Sequence, residues 1–351
     1  MIDFSKSKKK LTALGLNIGG GAFTLGASNY FKILGQWEDQ GIIGAKSFDL
    51  NFEGIYRPLR YEQWKADDLA GKVNYIYANP ACRPWSSASV YLGRRKPHMF
   101  QDKRLVMTEH VIETGLKIKP DVLISESVEA AFDIGVNYYN EYAKIFNKHG
   151  YHVTYFLNDA VLQGTPCVRR RFHFIAHRYA LTISEKPTIK KIVPVKDAIG
   201  DLIDLNNRTV TQHDRFTTRA GFEPYMPLVP IYGGLKNTIN KIPDYKWNQC
   251  SFLIKKLSWD HPACTIVGFE YIHPIKNRWL SYREVMRLCG YPDWYIAHNA
   301  VDAVDAVLPP VADFLSYHMK KTIENEKPVK PGVSVIDWRP YGKPFHFQKS
   351  K

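Results

Sequence analysis

Short apolar runs alternate with longer segments in which apolar residues recur at helical spacing. Such alternation is typical of an α/β fold, in which buried strands form a sheet and helices cover it. Breaks in the pattern fall at Gly150, Gly290 and Pro292, as expected for element ends. The predicted strands are Leu11–Leu16, Ile42–Phe48, Val73–Ala78, Val122–Ile124 and Tyr151–Leu157, and the predicted helices are Lys103–Leu116, Glu129–Lys148, Tyr282–Cys289 and Leu308–Lys320.

The alternation fades between about Thr182 and Ser258, where proline, glycine, asparagine and threonine become frequent. This composition predicts a small, irregular, mostly-β domain inserted into the α/β fold. The tail beyond about Asn325 is rich in proline and lysine and is interpreted as an extension or linker. The predicted units are a first α/β part at 1–181, the inserted domain at 182–258, a second α/β part at 259–330 and a C-terminal extension at 331–351.

The charge balance favours a polyanionic partner. Lys and Arg total 48 against 34 Asp and Glu, which gives a formal charge of +14. A charge of this size raises the local concentration of phosphate polymers and speeds their encounter with the protein. The alternative is a basic surface that serves solubility alone. Basic clusters lie in separate parts of the chain, at Lys8–Lys10, Arg94–Lys96 and Arg169–Arg171.

Cysteine usage and hydropathy bear on the compartment. The five cysteines form no CxxC pair and no even framework, which argues against a disulfide scaffold and against a zinc site. No apolar run approaches the length of a membrane span, and the Lys-rich start lacks a signal-peptide core. We therefore expect free thiols, no metal, no membrane contact and a cytoplasmic location, or the host cytoplasm for a viral protein.

A cysteine stands where open α/β sheets bind ligands, just past the strand Val73–Ala78 in a proline-flanked loop. A reactive thiolate needs an accessible, electropositive setting, and Arg83 beside Cys82 contributes to one. The alternative is that Cys82 is a small buried apolar residue, as most free cysteines are. Strand Val122–Ile124 delivers Glu126 to the same edge of the sheet.

A glycine-rich loop follows the first strand at 17–26 and suits close approach of a ligand to the backbone at a helix start. An acid at the end of the second strand often holds a nucleotide ribose in doubly wound folds. Asp49 ends the predicted second strand, and Glu53 is the competing candidate. Arg169–Arg171 precede a later strand, as either a solvated charge run or a fork for a base edge or phosphate.

Taken in order, these pieces resemble the motifs of the DNA cytosine-5 methyltransferase family. The glycine loop is similar to the family's AdoMet loop, and Pro80-Ala-Cys82 followed by Trp85-Ser86 resembles its Pro-Cys nucleophile motif. Glu126-Ser-Val128 is similar to its Glu-Asn-Val, and Pro166-Cys-Val-Arg-Arg-Arg171 to its Pro-Gln-x-Arg-x-Arg. The resemblance covers roughly residues 11–320. Later matching segments are Asp197–Leu202, Pro262–Ile266, Arg287–Asp293 and Asp305–Ala312.

The resemblance implies a class I methyltransferase fold, a Rossmann-like mixed sheet with helices on both faces, and a target-recognition domain at 182–258. It implies AdoMet as cofactor, no metal, double-stranded DNA as partner and a monomeric protein; a cognate restriction endonuclease is left open. The implied cofactor-binding residues are Ile18, Gly19, Gly20, Gly21, Asp49, Pro80 and Asp305. The implied DNA-binding residues lie in a loop that closes behind a flipped-out base, and they are Ser86, Arg94, Arg95 and Lys96.

The resemblance also implies catalytic roles. Cys82 would add to C6 of cytosine and so make C5 reactive towards the methyl of AdoMet. Glu126, in its protonated form, would contact N3 and the exocyclic amine. Arg169 would hold O2 of the base, and Arg171 would support the loop or a phosphate.

The sequence departs from the family pattern at five positions, namely Asn17, Ala81, Ser127, Cys167 and Asp305. Asn17 replaces an aromatic residue that would stack on the adenine, and Asp305 replaces an asparagine near the expected cofactor. Three alternatives therefore stay open beside an active DNA methyltransferase. They are a catalytically silent DNA-binding relative, the same chemistry on RNA, and the use of a modified AdoMet.

Overall fold

The computed structural model describes residues 11–39, 44–57, 59–86, 101–204, 209–213, 222–233, 254–268, 270–304 and 307–346. The strands are β1 Thr12–Leu16, β2 Lys32–Trp37, β3 Tyr56–Arg57, β4 Tyr75–Ala78, β5 Val122–Val128, β6 His152–Asp159, β7 Arg170–His177, β8 Lys255–Lys256, β9 Tyr271–Ile272 and β10 Gly332–Asp337. One eight-stranded sheet has the order β10-β6-β7-β5-β4-β1-β2-β3, and β8 pairs with β9. Strand β7 is antiparallel to both of its neighbours, and the other adjacent strands of the sheet are parallel.

The helices alternate with the strands along most of the described chain. They are α1 Ala22–Ser28, α2 Ala45–Asn51, α3 Val106–Ile118, α4 Ala130–Lys148, α5 Val195–Ile199, α6 Tyr282–Leu288, α7 Ala300–Val304, α8 Pro309–Asn325 and α9 Arg339–Gly342. None of the helices in the described ranges is long and apolar enough to cross a membrane.

Two apolar cores lie on opposite faces of the sheet because side chains alternate along each strand. In β4, Tyr75 and Tyr77 join one core, whereas Ile76 and Ala78 join the other. Helices α1, α2, α6 and α8 contribute to the first core, and α3 and α4 contribute to the second. The predicted α/β architecture, with helices on both faces of a mixed sheet, is confirmed.

The prediction of a second strand at Ile42–Phe48 is wrong. Strand β2 lies earlier, at Lys32–Trp37, and the later segment contains the start of helix α2. Gly44 precedes this helix with φ +80°, and a Cβ there would lie 2.2 Å from the backbone of Gly19. The backbone of Gly44 therefore passes close to that of Gly19, and the chain turns into a helix where the apolar residues had suggested a strand. Asp49 consequently lies on α2 with an exposed side chain and does not end a strand.

A small third core lies among residues that the sequence assigns to the inserted domain and just beyond it. Phe222, Met226 and Val229 pack there with Ile254, Ile272 and Trp279. By contrast, α5 belongs to the large core, where it packs against α6. The described part of 182–258 contains helical turns, and its strand in the sheet assignment is β8. The limits 182 and 258 stay a prediction.

The C-terminal segment is not a linker, contrary to the interpretation of its composition. Strand β10 extends the sheet by parallel pairing with β6, from Gly332 opposite His152 to Asp337 opposite Leu157. Trp338 follows and is only 2% exposed. Its ring packs against Phe156, with centroids 5.0 Å apart, and its indole N–H donates to the carbonyl of Ser184 at 3.1 Å. The segment is therefore part of the folded core.

Truncation of Trp338 should be strongly destabilising. We expect Trp338→Ala to lower the free energy of unfolding by about 3–5 kcal/mol, because a buried aromatic ring is lost and a cavity is left. Urea unfolding measures the difference. Val335→Ala, on β10 with a side chain 53% exposed, is the matched control and should cost less than about 1 kcal/mol. Equal effects of the two substitutions would contradict an anchoring role for Trp338.

Candidate active site at the carboxyl edge of the sheet

The loop that carries Cys82 begins directly after β4, beside the end of β5. Ala78 pairs with Ser125 across these parallel strands, so Asn79 and Glu126 are the next residues on each. The side-chain amide of Asn79 donates a hydrogen bond to the Glu126 carboxylate. Glu126 is only 2% exposed. The sequence-based placement of Cys82 and Glu126 at one sheet edge therefore agrees with the strand pairing.

The Cys82 loop is held by a tight turn and by a buried tryptophan. The carbonyl of Cys82 accepts hydrogen bonds from the amides of Trp85 at 3.0 Å and Ser86 at 3.1 Å. Trp85 is fully buried against α4, where Gly135 leaves room for it: a Cβ there would lie 2.7 Å from the indole ring. Cys82 itself is partly exposed and forms no disulfide. A fixed loop thus presents an accessible thiol.

Strand β7 brings two arginines to the same place. Arg171 Nε lies 2.8 Å from Glu126 Oε1, and both side chains are largely buried. Arg169 precedes the strand, and its backbone amide donates to Asp159 Oδ1 at 3.0 Å. Its guanidinium donates to the carbonyl of Ile266 at 3.0 Å. A buried carboxylate is therefore paired with one arginine and lies close to a second.

Sequence reasoning missed two polar residues in this cluster. His173 lies opposite Glu126 in the antiparallel pairing of β5 and β7, and its side chain is fully buried. Burial lowers the pKa of His173 to about 3, so the imidazole is neutral. Asn158, at the end of β6, is also buried. A cavity of about 10 Å³, roughly the size of one water molecule, is lined by Glu126, Asn158, Arg169, Arg171, His173 and four apolar or small residues nearby.

The acid that faces the glycine loop is Glu38, directly after β2. Its Oε1 accepts hydrogen bonds from the amides of Ile18 at 2.8 Å and Gly19 at 3.0 Å, and Gln36 donates to it at 2.7 Å. Burial raises the pKa of Glu38 to about 8, although these donors oppose the shift. An acid does follow the second strand, but it is Glu38. The assignment to Asp49 depended on the wrong strand boundary, and a role in cofactor binding stays a prediction.

The glycine loop is also packed against the far end of the chain. Tyr295 Oη donates to the carbonyl of Gly20 at 2.6 Å, and a Cβ on Gly20 would lie 2.8 Å from that oxygen. Ser47 donates to the buried Asp302 at 2.5 Å. Pro80, two residues after the end of β4, is buried. Of the predicted site residues, Asp305, Arg94, Arg95 and Lys96 lie outside the described residues.

Asn17, which stands where the resembling family has an aromatic residue, has an unusual backbone. It adopts a left-handed conformation with φ 55° and is 4% exposed. Its Oδ1 accepts from the amide of Asp39 at 2.8 Å. Its Nδ2 is buried without a hydrogen-bond partner among the described residues. Of the other departures, Ser127 contacts the hydroxyl of Tyr139, and Cys167 is buried beside Cys289.

The mixed sheet with β7 antiparallel, the glycine loop after β1 and the acid after β2 define a class I methyltransferase fold. Solved structures with this fold include a candidate DNA modification methyltransferase encoded in a prophage of E. coli. It has a TM-score of 0.65 and 20% identity, over 90% of this chain and all of that one. A methyltransferase of Entamoeba histolytica, EhMeth, has a TM-score of 0.58 and 14% identity, over 90% of this chain and 99% of that one.

The family model for C-5 cytosine-specific DNA methylase matches residues 18–315, and the chain belongs to that family. Similar sequences include the type II methyltransferase M1.BsuMI of Bacillus subtilis, 22% identical over 68% of this chain and 57% of the relative. M.BspRI of Lysinibacillus sphaericus is 21% identical over 80% of this chain and 69% of the relative. The chain thus spans little more than half the length of the first of these relatives.

Proposed function

We propose that the protein transfers a methyl group from AdoMet to C5 of a flipped-out cytosine in double-stranded DNA, through a covalent bond between Cys82 and C6. One observation carries the proposal. Glu126 is held between Asn79, on the loop of the candidate nucleophile, and Arg171 at 2.8 Å. A catalytically silent DNA-binding relative has no chemical need for an accessible thiol beside a buried carboxylate that is paired with arginine.

The roles of the side chains follow from the chemistry of the ring. The Cys82 thiolate forms the bond to C6, and electron density moves towards C5 and N3. Glu126 takes up a proton when the base binds, contacts N3 and the exocyclic amine, and donates that proton to N3, which neutralises the ring. Arg169 binds O2, and Arg171 fixes Glu126 in place. After transfer, loss of the C5 proton allows elimination of the Cys82 thiolate, with water as the acceptor of the proton.

The residues around the glycine loop fit AdoMet. Gly19 and Gly20 offer a backbone surface without side chains, and the Glu38 carboxylate is placed at the end of β2 to accept hydrogen bonds from ribose hydroxyls. The buried Nδ2 of Asn17 offers a donor to the cofactor in place of a stacking ring. When bound, AdoMet supplies the electrophilic methyl group. Ile18, Gly21 and Pro80 complete the proposed site with Asp305, whereas Glu38 replaces Asp49 in it.

Titration of Glu38 should leave a signature in the stability of the cofactor-free protein. Burial gives Glu38 a pKa of about 8 in the folded state, against 4.5 for an unperturbed glutamate, so between these values the folded state holds a proton that the unfolded state has lost. The contribution of Glu38 to stability is therefore fully present below about pH 4.5 and is lost as pH rises towards 8, by up to roughly 1.4 kcal/mol per pH unit. Thermal unfolding across this range, relative to Glu38→Gln, measures the effect. Parallel pH profiles for the two proteins would contradict it.

DNA is the proposed substrate because the family acts on cytosine in DNA and the chain carries a net charge of +14. A base inside a duplex is out of reach of Cys82, which requires the target to be flipped out. Ser86, at the end of the described nucleophile loop, and Arg94, Arg95 and Lys96 beyond it are proposed to belong to a loop that closes behind the flipped-out base and contacts the DNA. A cognate restriction endonuclease would fit the type II names of the relatives.

Mass spectrometry of nucleosides tests the proposal. Mixed-sequence duplex DNA is incubated with the protein and AdoMet, and Cys82→Ser serves as control. A 5-methyldeoxycytidine signal that is absent from the control is the expected result. Binding of both AdoMet and DNA without product would favour the silent relative. Labelled methyl recovered in RNA instead of DNA would favour the RNA substrate, and failure to bind AdoMet would favour a modified cofactor.

A further inference from the structure

The end of the C-terminal segment lies against the residues that position Arg169. Asp159, at the end of β6, is fully buried and receives the Arg169 backbone amide on Oδ1. Its Oδ2 accepts a hydrogen bond from His346 Nε2. Gly342 permits this approach, because a Cβ there would lie 2.6 Å from Asp159 Oδ2. The segment thus returns from the sheet edge to the catalytic arginine.

Ion pairs hold the segment in this position. Arg339 forms hydrogen bonds with Asp133 at 2.9 Å and Glu129 at 3.1 Å, both near the start of α4. With Trp338 buried beside it, the chain from β10 to His346 has a fixed path. The last described residues, Phe345 and His346, therefore have a fixed position, and we call them the C-terminal wall.

A cleft of about 320 Å³ is lined by this wall and by residues of the predicted recognition domain at 182–258. Its lining includes Phe345 and His346 from the C-terminal segment, Tyr232 and Lys255 from the predicted recognition domain, and Val168, which precedes Arg169. The volume is at the lower end of the range of roughly 300–1,000 Å³ found for small-molecule sites, so it suits one nucleotide-sized group. Lys255 is the charged lining residue, and no acidic residue lines the cleft among those described.

The chemistry of this lining suits a nucleotide. Aromatic rings bind bases by stacking, and a lysine in the same groove binds the phosphate, a combination typical of nucleic-acid grooves. Val168 lines the cleft, whereas the next residue, Arg169, lines the Glu126 cavity. Adjacent side chains of an extended chain point to opposite sides. The cleft and the proposed base pocket are therefore separated by a single stretch of backbone.

We propose that this cleft binds the nucleotide next to the target cytosine after it has unstacked from the duplex, with its base against Phe345 and its phosphate at Lys255. The C-terminal segment is then part of the DNA-binding surface, through residues that lie beyond the stretch 18–315 matched by the family model. The inference rests on the proposed function and assigns a subsite for its DNA substrate.

Fluorescence anisotropy with mixed-sequence duplex DNA at several salt concentrations tests the subsite. Lys255→Ala should reduce the slope of log affinity against log salt by about 1, as expected for one lost phosphate contact. Phe345→Ala and Phe345→Leu should both weaken binding by about five- to tenfold, because leucine preserves apolar volume but not stacking. Lys330→Ala removes an exposed lysine outside the cleft and should leave both quantities unchanged.

The outcomes separate this inference from the proposed function. Wild-type protein that binds DNA but does not methylate it would contradict the proposed function, and the salt slopes would still test the cleft. Unchanged DNA binding and unchanged KM for DNA in the Lys255 and Phe345 variants, with wild-type methylation intact, would overturn the subsite. Loss of binding in Phe345→Ala but not in Phe345→Leu would also overturn it, since the ring would then serve packing alone. Thermal unfolding confirms that each variant is folded.

Discussion

Substitution of Cys82 by serine should abolish methyl transfer while leaving AdoMet and DNA binding intact. We expect a rate lower by at least on the order of 10⁴-fold, as for removal of a nucleophile elsewhere, because a hydroxyl is far less ionised and less nucleophilic than a thiol. The loop should keep its shape, since its turn uses the backbone carbonyl of residue 82 and the burial of Trp85. Single-turnover transfer of labelled methyl to DNA measures the loss.

Covalent trapping on duplex DNA containing 5-fluorocytosine distinguishes loss of the nucleophile from a general defect. The wild-type protein should form a denaturant-resistant complex that depends on AdoMet, and Cys82→Ser should form none. Cys289→Ser, which removes a buried thiol of the large core, is the control and should still be trapped. A complex formed by Cys82→Ser, or methylation within tenfold of wild type, would exclude Cys82 as the nucleophile.

Glu126→Gln should have the second largest effect, a loss of about 10²–10⁴-fold in the single-turnover rate, the usual contribution of a general acid or base. Glutamine matches the size of glutamate but supplies no proton to the ring. Its amide also removes the carboxylate that Arg171 contacts at 2.8 Å. A buried guanidinium without its anion is costly, by up to roughly 3–5 kcal/mol in comparable cases. The variant should therefore be both slower and less stable.

Two measurements separate these effects. Urea unfolding reports the stability of Glu126→Gln, and the rate is then compared at a temperature where the variant is folded. Glu141→Gln, on the exposed side of α4 and paired only with Lys144 in the described contacts, serves as the control and should retain activity and stability. A Glu126→Gln rate within a few-fold of wild type, for a fully folded protein, would rule out proton donation by Glu126.

The sequence predicted the α/β fold and the placement of Cys82 and Glu126 because both depend on local order. Each residue comes soon after an apolar run of the sequence, and the parallel strands that these runs form present their carboxyl ends at one edge. The contact of Arg171 with Glu126 depends instead on the antiparallel insertion of β7 between β5 and β6. Only the resemblance to a family pointed to Arg169 and Arg171, since a run of arginines before a strand has several explanations.

The missed features share a physical reason: they depend on contacts distant in sequence. Glu38 was overlooked because Gly35 and Gln36 interrupt the apolar pattern of β2, although Gln36 is buried there with hydrogen bonds to Thr24, Glu38 and the carbonyl of Gly19. In the sequence, His173 is a single polar residue in an apolar strand. Only the register between β5 and β7 shows that it lies opposite Glu126. Strand β10 was not predicted because its place in the sheet depends on pairing with β6 and on the burial of Trp338 directly after it.

The packing of the glycine loop bears on how the protein folds. Gly20 and Tyr295 are 275 residues apart, and Ser47 and Asp302 are 255 apart. The entropy of closing such loops rises only by about 0.6 kcal/mol per doubling of length, so the cost falls mainly on folding speed, which declines as contacts become less local. We expect the contacts of Gly20 with Tyr295 and of Ser47 with Asp302 to form late during refolding, after β4 and β5 have paired. We therefore expect the ability to hold the proposed cofactor, AdoMet, to arise only in chains that have almost completed folding, so that partly folded chains do not sequester it.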